Sequence, residues 1–267
     1  MTRRTLTKHH GLGNDFLVAF HPDIDDLPAF ARRVCDRRRG VGADGLLVGE
    51  SADGYAAAMT LYNADGGVAE MSGNGIRCFA QALAMRRGDF DPQLILTGAG
   101  DRLVVLRPTE DPHTIEASVE MGVIGALGEP HGWTALGTHP DRPVAHLSLG
   151  NPHSVVGVDD VAVVELEKLG AIVPHVNLEV IEPGPEPFAI TMRVHERGAG
   201  ITEACGTGAC ASAWAAMQWG LVPASAAEIV VHMDGGSARV ALDDPVPGAV
   251  TLTGPATYIA TIEVDIT

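Results

Sequence analysis

Two segments of the 267-residue chain echo one another at half its length, and that duplication limits its folding options more than any other feature. Glu70-Met71-Ser72-Gly73-Asn74-Gly75-Ile76-Arg77-Cys78 is matched by Glu203-Ala204-Cys205-Gly206-Thr207-Gly208-Ala209-Cys210-Ala211. Each reads Glu, any residue, a small nucleophile, Gly, a polar residue, Gly, and then a helix-like run. The offset is 205 − 72 = 133, and at that offset Asn63 falls on Glu196 and Asp44 on Asn177. Gly13-Asn14-Asp15-Phe16 recurs as Gly150-Asn151-Pro152-His153 at 151 − 14 = 137. Echoes in the same order favour two pseudo-equivalent halves over a chance likeness of glycine-rich turns.

Each half carries one helix opened by its motif. Ile76, Phe79, Ala80 and Leu83 follow the helical period, and Gly88 ends that run after Arg86-Arg87. The counterpart, Ala209 to Met217, is small or apolar almost all round and stops at Gly220, as a buried helix does. A further helix is expected from Leu27 to Arg38, capped by Asp26, with Pro28 in its first turn and Gly40 beyond its end. Short alternating or β-branched runs surround these helices, at Arg102–Leu106, Thr114–Val119, Ile190–Val194, Glu228–Val231 and Tyr258–Ile262. The expected fold is α/β (α+β), with strands wrapped around a central helix in each half. The halves are placed at 1–115, joined by the last strand 256–267, and at 116–255.

Composition removes several function classes. Eighteen basic against 34 acidic residues give a charge of −16, a field that repels nucleic acid and anionic membrane surfaces. No apolar stretch reaches the roughly 18 residues of a membrane span, and no apolar segment follows the charged start, so a soluble, cytoplasmic protein is expected. The four cysteines match no zinc spacing and the histidines lack ligand spacing, so no metal is expected. Lys8 and Lys168 are the only lysines, and neither sits where a Schiff base to pyridoxal phosphate would form. Gly206 to Ala211 fits GxGxxA, yet no apolar strand leads into it, which argues against dinucleotide binding. A P-loop is excluded by the lack of GK[ST].

A glycine-rich turn opening a helix offers unpaired N–H groups at the positive end of the helix dipole, which makes an anion site. Two such sites, one per half, are expected to meet at a cleft between domains. A thiol at such a position has a lowered pKa, so Cys205 is expected to be rich in thiolate. Cys35, on an apolar stripe with Leu27, Ala31 and Val34, reads as a packing residue, as do Cys78 and Cys210 within their helices.

Together, Lys8 to Phe16, Tyr62-Asn63-Ala64-Asp65-Gly66, Glu70 to Cys78, Gly150 to His153, and Glu196-Arg197-Gly198 leading to Ala204 to Gly208 closely resemble the diaminopimelate epimerase family. The resemblance runs from about residue 5 to the C-terminus with the motifs in order. It implies two pseudo-symmetric domains, each a curled, mostly antiparallel sheet around a central helix, with the active site between them. It also implies a homodimer and a cofactor-independent isomerase acting on a small amino-acid substrate, interconverting LL- and meso-diaminopimelate for lysine and peptidoglycan synthesis. Inverting an α-carbon without a cofactor needs a base on one face, an acid on the other, and donors around the carboxylate as the carbanion forms.

By resemblance, Cys205 matches one catalytic thiol, and His153 and Glu196 match residues that help ionise the pair. Ser72 stands where the family has its other thiol. Three readings stay open for it: a hydroxyl activated by a neighbour, one-directional chemistry such as a dehydration, or an introduced change that traps an inactive enzyme. The matching substrate contacts are Asn14, Asn63, Asn151 and Asn177, the pair Glu196-Arg197 for the distal amino-acid end, and Gly73-Asn74 and Gly206-Thr207 for the reacting carboxylate. Gly45 departs from members with glutamine there, and Ile201 from members with an acidic residue. A related racemase or dehydratase, or an amino-acid binder whose catalytic pair has decayed, are the competing functions.

Overall fold

A computed structural model describes residues 3–242 and 246–265, in two units. One unit takes the chain up to Val119 and again from Gly254 onward, and the other is Glu120–Thr253. The first opens with β1 (Arg3–Gly11), β2 (Asn14–Phe20), α1 (Leu27–Cys35), β3 (Gly45–Glu50), β4 (Ala57–Asn63) and β5 (Val68–Ala69). It continues with α2 (Gly73–Arg87), β6 (Gln93–Thr97), β7 (Gly100–Pro108) and most of β8 (Thr114–Val123). The second holds β9 (Gly125–Ala126), a short 3-10 turn (Trp133–Leu136), β10 (Val144–Ser148), β11 (Pro152–Gly157), α3 (Leu166–Ile172), β12 (Asn177–Pro183) and β13 (Ala189–Glu196). Then come β14 (Gly200–Thr202), α4 (Gly206–Gln218), β15 (Ile229–Met233), β16 (Gly236–Leu242) and the start of β17 (Ala249–Asp265). Among the described residues no helix is long and apolar enough to cross a membrane.

Strand pairing reproduces the duplication step for step. In the first unit β1–β2 is antiparallel, β2–β3 parallel, β3–β4 antiparallel, β4–β6 parallel and β6–β7 antiparallel. In the second, β10–β11, β11–β12, β12–β13, β13–β15 and β15–β16 follow the same alternation. Helices α1 and α3 supply the crossovers that the parallel pairs β2–β3 and β11–β12 require. In the first unit β17 also pairs with β1, and Tyr258 N donates to His113 O at the start of β8, so the strands close around α2.

Both central helices lie buried against strands on several sides. α2 touches β1, β2, β3, β4 and β7, and α4 touches β10 to β13, β15 and β16. Every residue of α2 from Gly73 to Ala84 is buried, so its polar members must find partners inside. Arg77 donates to Pro255 O, Gly73 O and Asn74 Oδ1. Gly11 and Gly254 make room for it, because a Cβ on either would lie 3.1 or 3.3 Å from the guanidinium. Gln81 joins His9 Nδ1 at 2.8 Å and donates to His113 O. α2 ends where Gly88 turns left-handed (φ 79°) and returns its N–H to Ala84 O.

The expected helix to Arg38 stops three residues early, at Cys35. Asp36 Oδ1 accepts from the N–H groups of Arg38 and Arg39, an Asx-type turn that competes with helical bonding. Its start holds: Asp26 accepts from Ala29 N at 2.8 Å. Cys35 packs with Ala31 and Val34 beneath Leu27, and burial pushes its thiol up to about 12.

Candidate active site

Ser72 and Cys205 occupy the same local geometry, one in each unit. Ser72 is the N-cap of α2 (φ −140°, ψ 121°) and its Oγ accepts from Gly75 N at 3.0 Å. Cys205 is the N-cap of α4 (φ −126°, ψ 112°) and its Sγ accepts from Gly208 N at 3.4 Å. An α-helix leaves its first N–H groups without helical partners, so Gly73-Asn74 and Gly206-Thr207 present donors suited to a carboxylate. Glycine suits the third helical position because the N-cap side chain and a strand crowd its Cβ space, more tightly in the second unit than in the first. A Cβ on Gly75 would lie 3.1 Å from Ser72 Cβ and 3.4 Å from Leu47 Cδ2. On Gly208 it would lie 2.7 Å from Glu179 Oε1 and 3.2 Å from Cys205 Sγ.

The two helix starts are therefore not alike. Leu47 on β3 and Glu179 on β12 hold equivalent places, so Ser72 has an apolar neighbour where Cys205 has a carboxyl. Glu179 is fully buried and bonds His153 Nδ1 at 2.6 Å. Nothing in the motifs pointed to it. The available signal was one acid inside the apolar run Leu178-Glu179-Val180-Ile181, on a strand buried from end to end through Ile181.

The expected thiolate is corrected by this surrounding. Burial, followed by the neighbouring acids Glu196 and Glu179, pushes the Cys205 thiol well above its ordinary value, against the hydrogen bonds from Thr207 and Gly208 N. The helix start is therefore outweighed by desolvation. Cys78 is also held as a neutral thiol, pushed by burial up to about 12.

In the second unit Asn151, His153 and Thr207 form a run of contacts leading to Cys205, and Asn177 holds the backbone at Arg197. Asn151 Nδ2 donates to Thr207 Oγ1 at 3.1 Å, and Asn151 Oδ1 lies 3.0 Å from His153 Nε2. Thr207 Oγ1 is 3.5 Å from Cys205 Sγ. Asn177 Oδ1 accepts from Arg197 N at 2.8 Å, which fixes the loop that carries the exposed Arg197 side chain. Glu196, at the end of β13, accepts from Thr202 Oγ1 at 2.5 Å.

In the first unit Asn74 Nδ2 donates to Asn14 Oδ1 at 3.3 Å, and Asn14 Nδ2 donates to Asp44 Oδ2 at 2.7 Å. Asp44 is held in turn by Arg37, which also bonds Asp15, and Lys8 Nζ lies 2.8 Å from Asp15. Asn63 ends β4 directly opposite Gly45. A Cβ at Gly45 would sit 2.8 Å from Tyr62 O, so this backbone favours glycine there over any larger residue. Lys168 pairs with Glu165 on the surface. Among the described residues no group of three His, Cys, Asp or Glu side chains could hold a metal ion.

Comparison with known proteins identifies the family of the chain. The family model described as diaminopimelate epimerase matches residues 6–124 and 146–259. A diaminopimelate epimerase from Moorella thermoacetica is 37% identical, over 94% of this chain and 96% of the relative. One from Acidiphilium cryptum is 38% identical, over 98% and 96%. In fold, the chain is similar to a PhzF-family phenazine biosynthesis protein from Bacillus anthracis (TM-score 0.75, 14% identity, 99% and 100% coverage). It is also similar to a hydroxyproline epimerase from Agrobacterium vitis (TM-score 0.69, 15% identity, 99% and 91% coverage). With its motifs in order, its two matching helix starts and a model match over most of its length, the chain belongs to the diaminopimelate epimerase family.

Proposed function

We propose that the chain is an epimerase that inverts one α-carbon of LL-2,6-diaminopimelate to give the meso form, with Cys205 and Ser72 serving the two faces of that carbon. The observation that carries this reading is the matched pair of N-caps, each a proton-bearing side chain at the start of a buried helix. In one turnover a proton leaves the α-carbon for one side chain and a proton from the other takes its place. The two side chains thereby exchange protonation states. A hydroxyl is a far weaker acid than a thiol, so the competent form pairs a Cys205 thiolate with a Ser72 hydroxyl. The N–H donors of Gly73-Asn74 and Gly206-Thr207 stabilise the carboxylate as negative charge builds on it. Asn14, Asn63, Asn151 and Asn177 frame the substrate, and Glu196 with Arg197 holds its distal amino-acid end.

The same reading carries a cytoplasmic homodimer, and a solution mass twice that of the chain tests the dimer. For the reaction, LL-diaminopimelate is incubated with the protein in deuterium oxide. Deuterium at one α-carbon, with meso product, is expected. Binding without exchange, or exchange with other amino acids alone, would overturn the reading.

A further inference from the structure

The direction of the hydrogen bonds around Cys205 can be followed atom by atom. With Asn151 Nδ2 donating to Thr207 Oγ1, the Asn151 Oδ1 atom faces His153 Nε2 at 3.0 Å. An amide oxygen only accepts, so Nε2 carries a hydrogen. The 2.6 Å contact between His153 Nδ1 and Glu179 Oε1 then needs a second one. It lies either on the carboxyl beside a neutral ring or on the ring beside a carboxylate. In both cases the pair has no net charge and holds one proton more than a neutral imidazole next to a carboxylate.

Two observations put that proton on the carboxyl side. Glu179 Oε2 is buried with no hydrogen-bond partner among the described residues, a cost far higher for a carboxylate oxygen than for a carbonyl oxygen. Burial and the nearby Glu196 also push this carboxyl above its ordinary range, against the pull of His153. At the other end, Thr207 Oγ1 accepts from Asn151, which leaves its own hydrogen for Cys205 Sγ at 3.5 Å.

We propose that Glu179 is a positioning residue: it keeps a proton in its bond to His153, so that His153, Asn151 and Thr207 all point their hydrogens toward the sulfur of Cys205. The groups that face this chain are Cys205 on α4, His153 on β11 and Glu196 on β13. The sulfur then receives two donors, Thr207 Oγ–H and Gly208 N–H, while the negative charge beside it is limited to Glu196. Both donors are in place before the thiol gives up its proton. For its catalytic meaning the assignment rests on the epimerase reading, but its test does not depend on turnover.

Nitrogen-15 NMR of the intact protein reports which imidazole nitrogen bears hydrogen, with His153 identified by its loss in His153→Gln. Hydrogen on Nε2 and none on Nδ1 is expected at neutral pH. Hydrogen on Nδ1 would overturn the proposal: alone it would reverse every bond in the chain, and together with Nε2 it would leave Glu179 a carboxylate. A second measurement is the pH dependence of Cys205 alkylation by iodoacetamide, read by peptide mass, in the native protein and in Glu179→Gln. Glutamine keeps a neutral donor for Nδ1, so the midpoint is expected to stay in place. A fall of about one pH unit or more, the effect of removing a neighbouring carboxylate charge, would equally overturn it.

Discussion

Cys205 shows how two local effects of opposite sign are settled by magnitude. A helix start stabilises a thiolate modestly, whereas complete burial beside two acids opposes it more strongly, and the thiol stays protonated. If the thiolate is the working base, kcat/KM rises with pH from neutrality, by about tenfold per unit while the thiolate is a minor species. A profile flat between pH 7 and 9 would count against that assignment. Cys205→Ala is expected to abolish α-proton exchange, and normal exchange in that variant would show the roles to be wrong. Gly208→Ala and Gly75→Ala separate the two helix starts. The first drives a methyl to 2.7 Å from Glu179 Oε1, whereas the second meets Ser72 at 3.1 Å and Leu47 at 3.4 Å. Urea unfolding is expected to show the larger loss for Gly208→Ala, about 1–3 kcal/mol, with equal losses contradicting the asymmetry. At this scale the sequence showed the N-caps and the asparagines, because glycine spacing marks them. Glu179 stayed hidden because its partner His153 comes from a different strand, and a lone acid in an apolar run carries no local signature.

Elements were legible where their ends are set locally. The start of α1 follows from Asp26 alone, and Asp26→Ala is expected to cost about 1 kcal/mol in thermal or urea unfolding. The end of α1 depends on which backbone N–H groups the Asp36 side chain captures, a choice that hydrophobic periodicity does not record. Burial of α2 has a further consequence through β1. His9 is fully buried between Gln81 and Thr7, and burial, against the Gln81 hydrogen bond, lowers its pKa to about 4. It is therefore neutral in the fold at pH 7. The unfolded chain binds a proton to it below about 6.5, so stability is fully present above that value and is lost as pH falls toward 4. The loss is of order 3 kcal/mol across that window, the 2.5-unit difference taken at about 1.4 kcal/mol each. His9→Gln is expected to flatten the pH dependence of urea unfolding between pH 7 and 4.5. An unchanged slope would mean that other groups dominate.

For the molecule as a whole, the duplication implied two halves of like build, and the two units do repeat one alternation of antiparallel and parallel pairs. The sequence itself did not spell out that order, because partners on neighbouring strands leave no local mark. The duplication could not show where equivalence ends, because Leu47 and Glu179 differ at a position that no motif covers. That difference leaves one helix start with a proton-holding chain and the other with a hydroxyl beside a leucine. An epimerase works between two forms of one equilibrium, so the ratio of kcat/KM in the two directions is fixed by the equilibrium constant. A poor base at position 72 therefore slows both directions together and cannot make the enzyme run one way. Ser72→Cys, which restores a thiol, is expected to preserve or raise kcat/KM by the same factor for LL- and for meso-diaminopimelate, up to about 10². Chiral analysis of both progress curves checks this. A gain in one direction alone would mean that substrate is leaving the equilibrium by another reaction, such as elimination, and that the hydroxyl belongs to that chemistry instead.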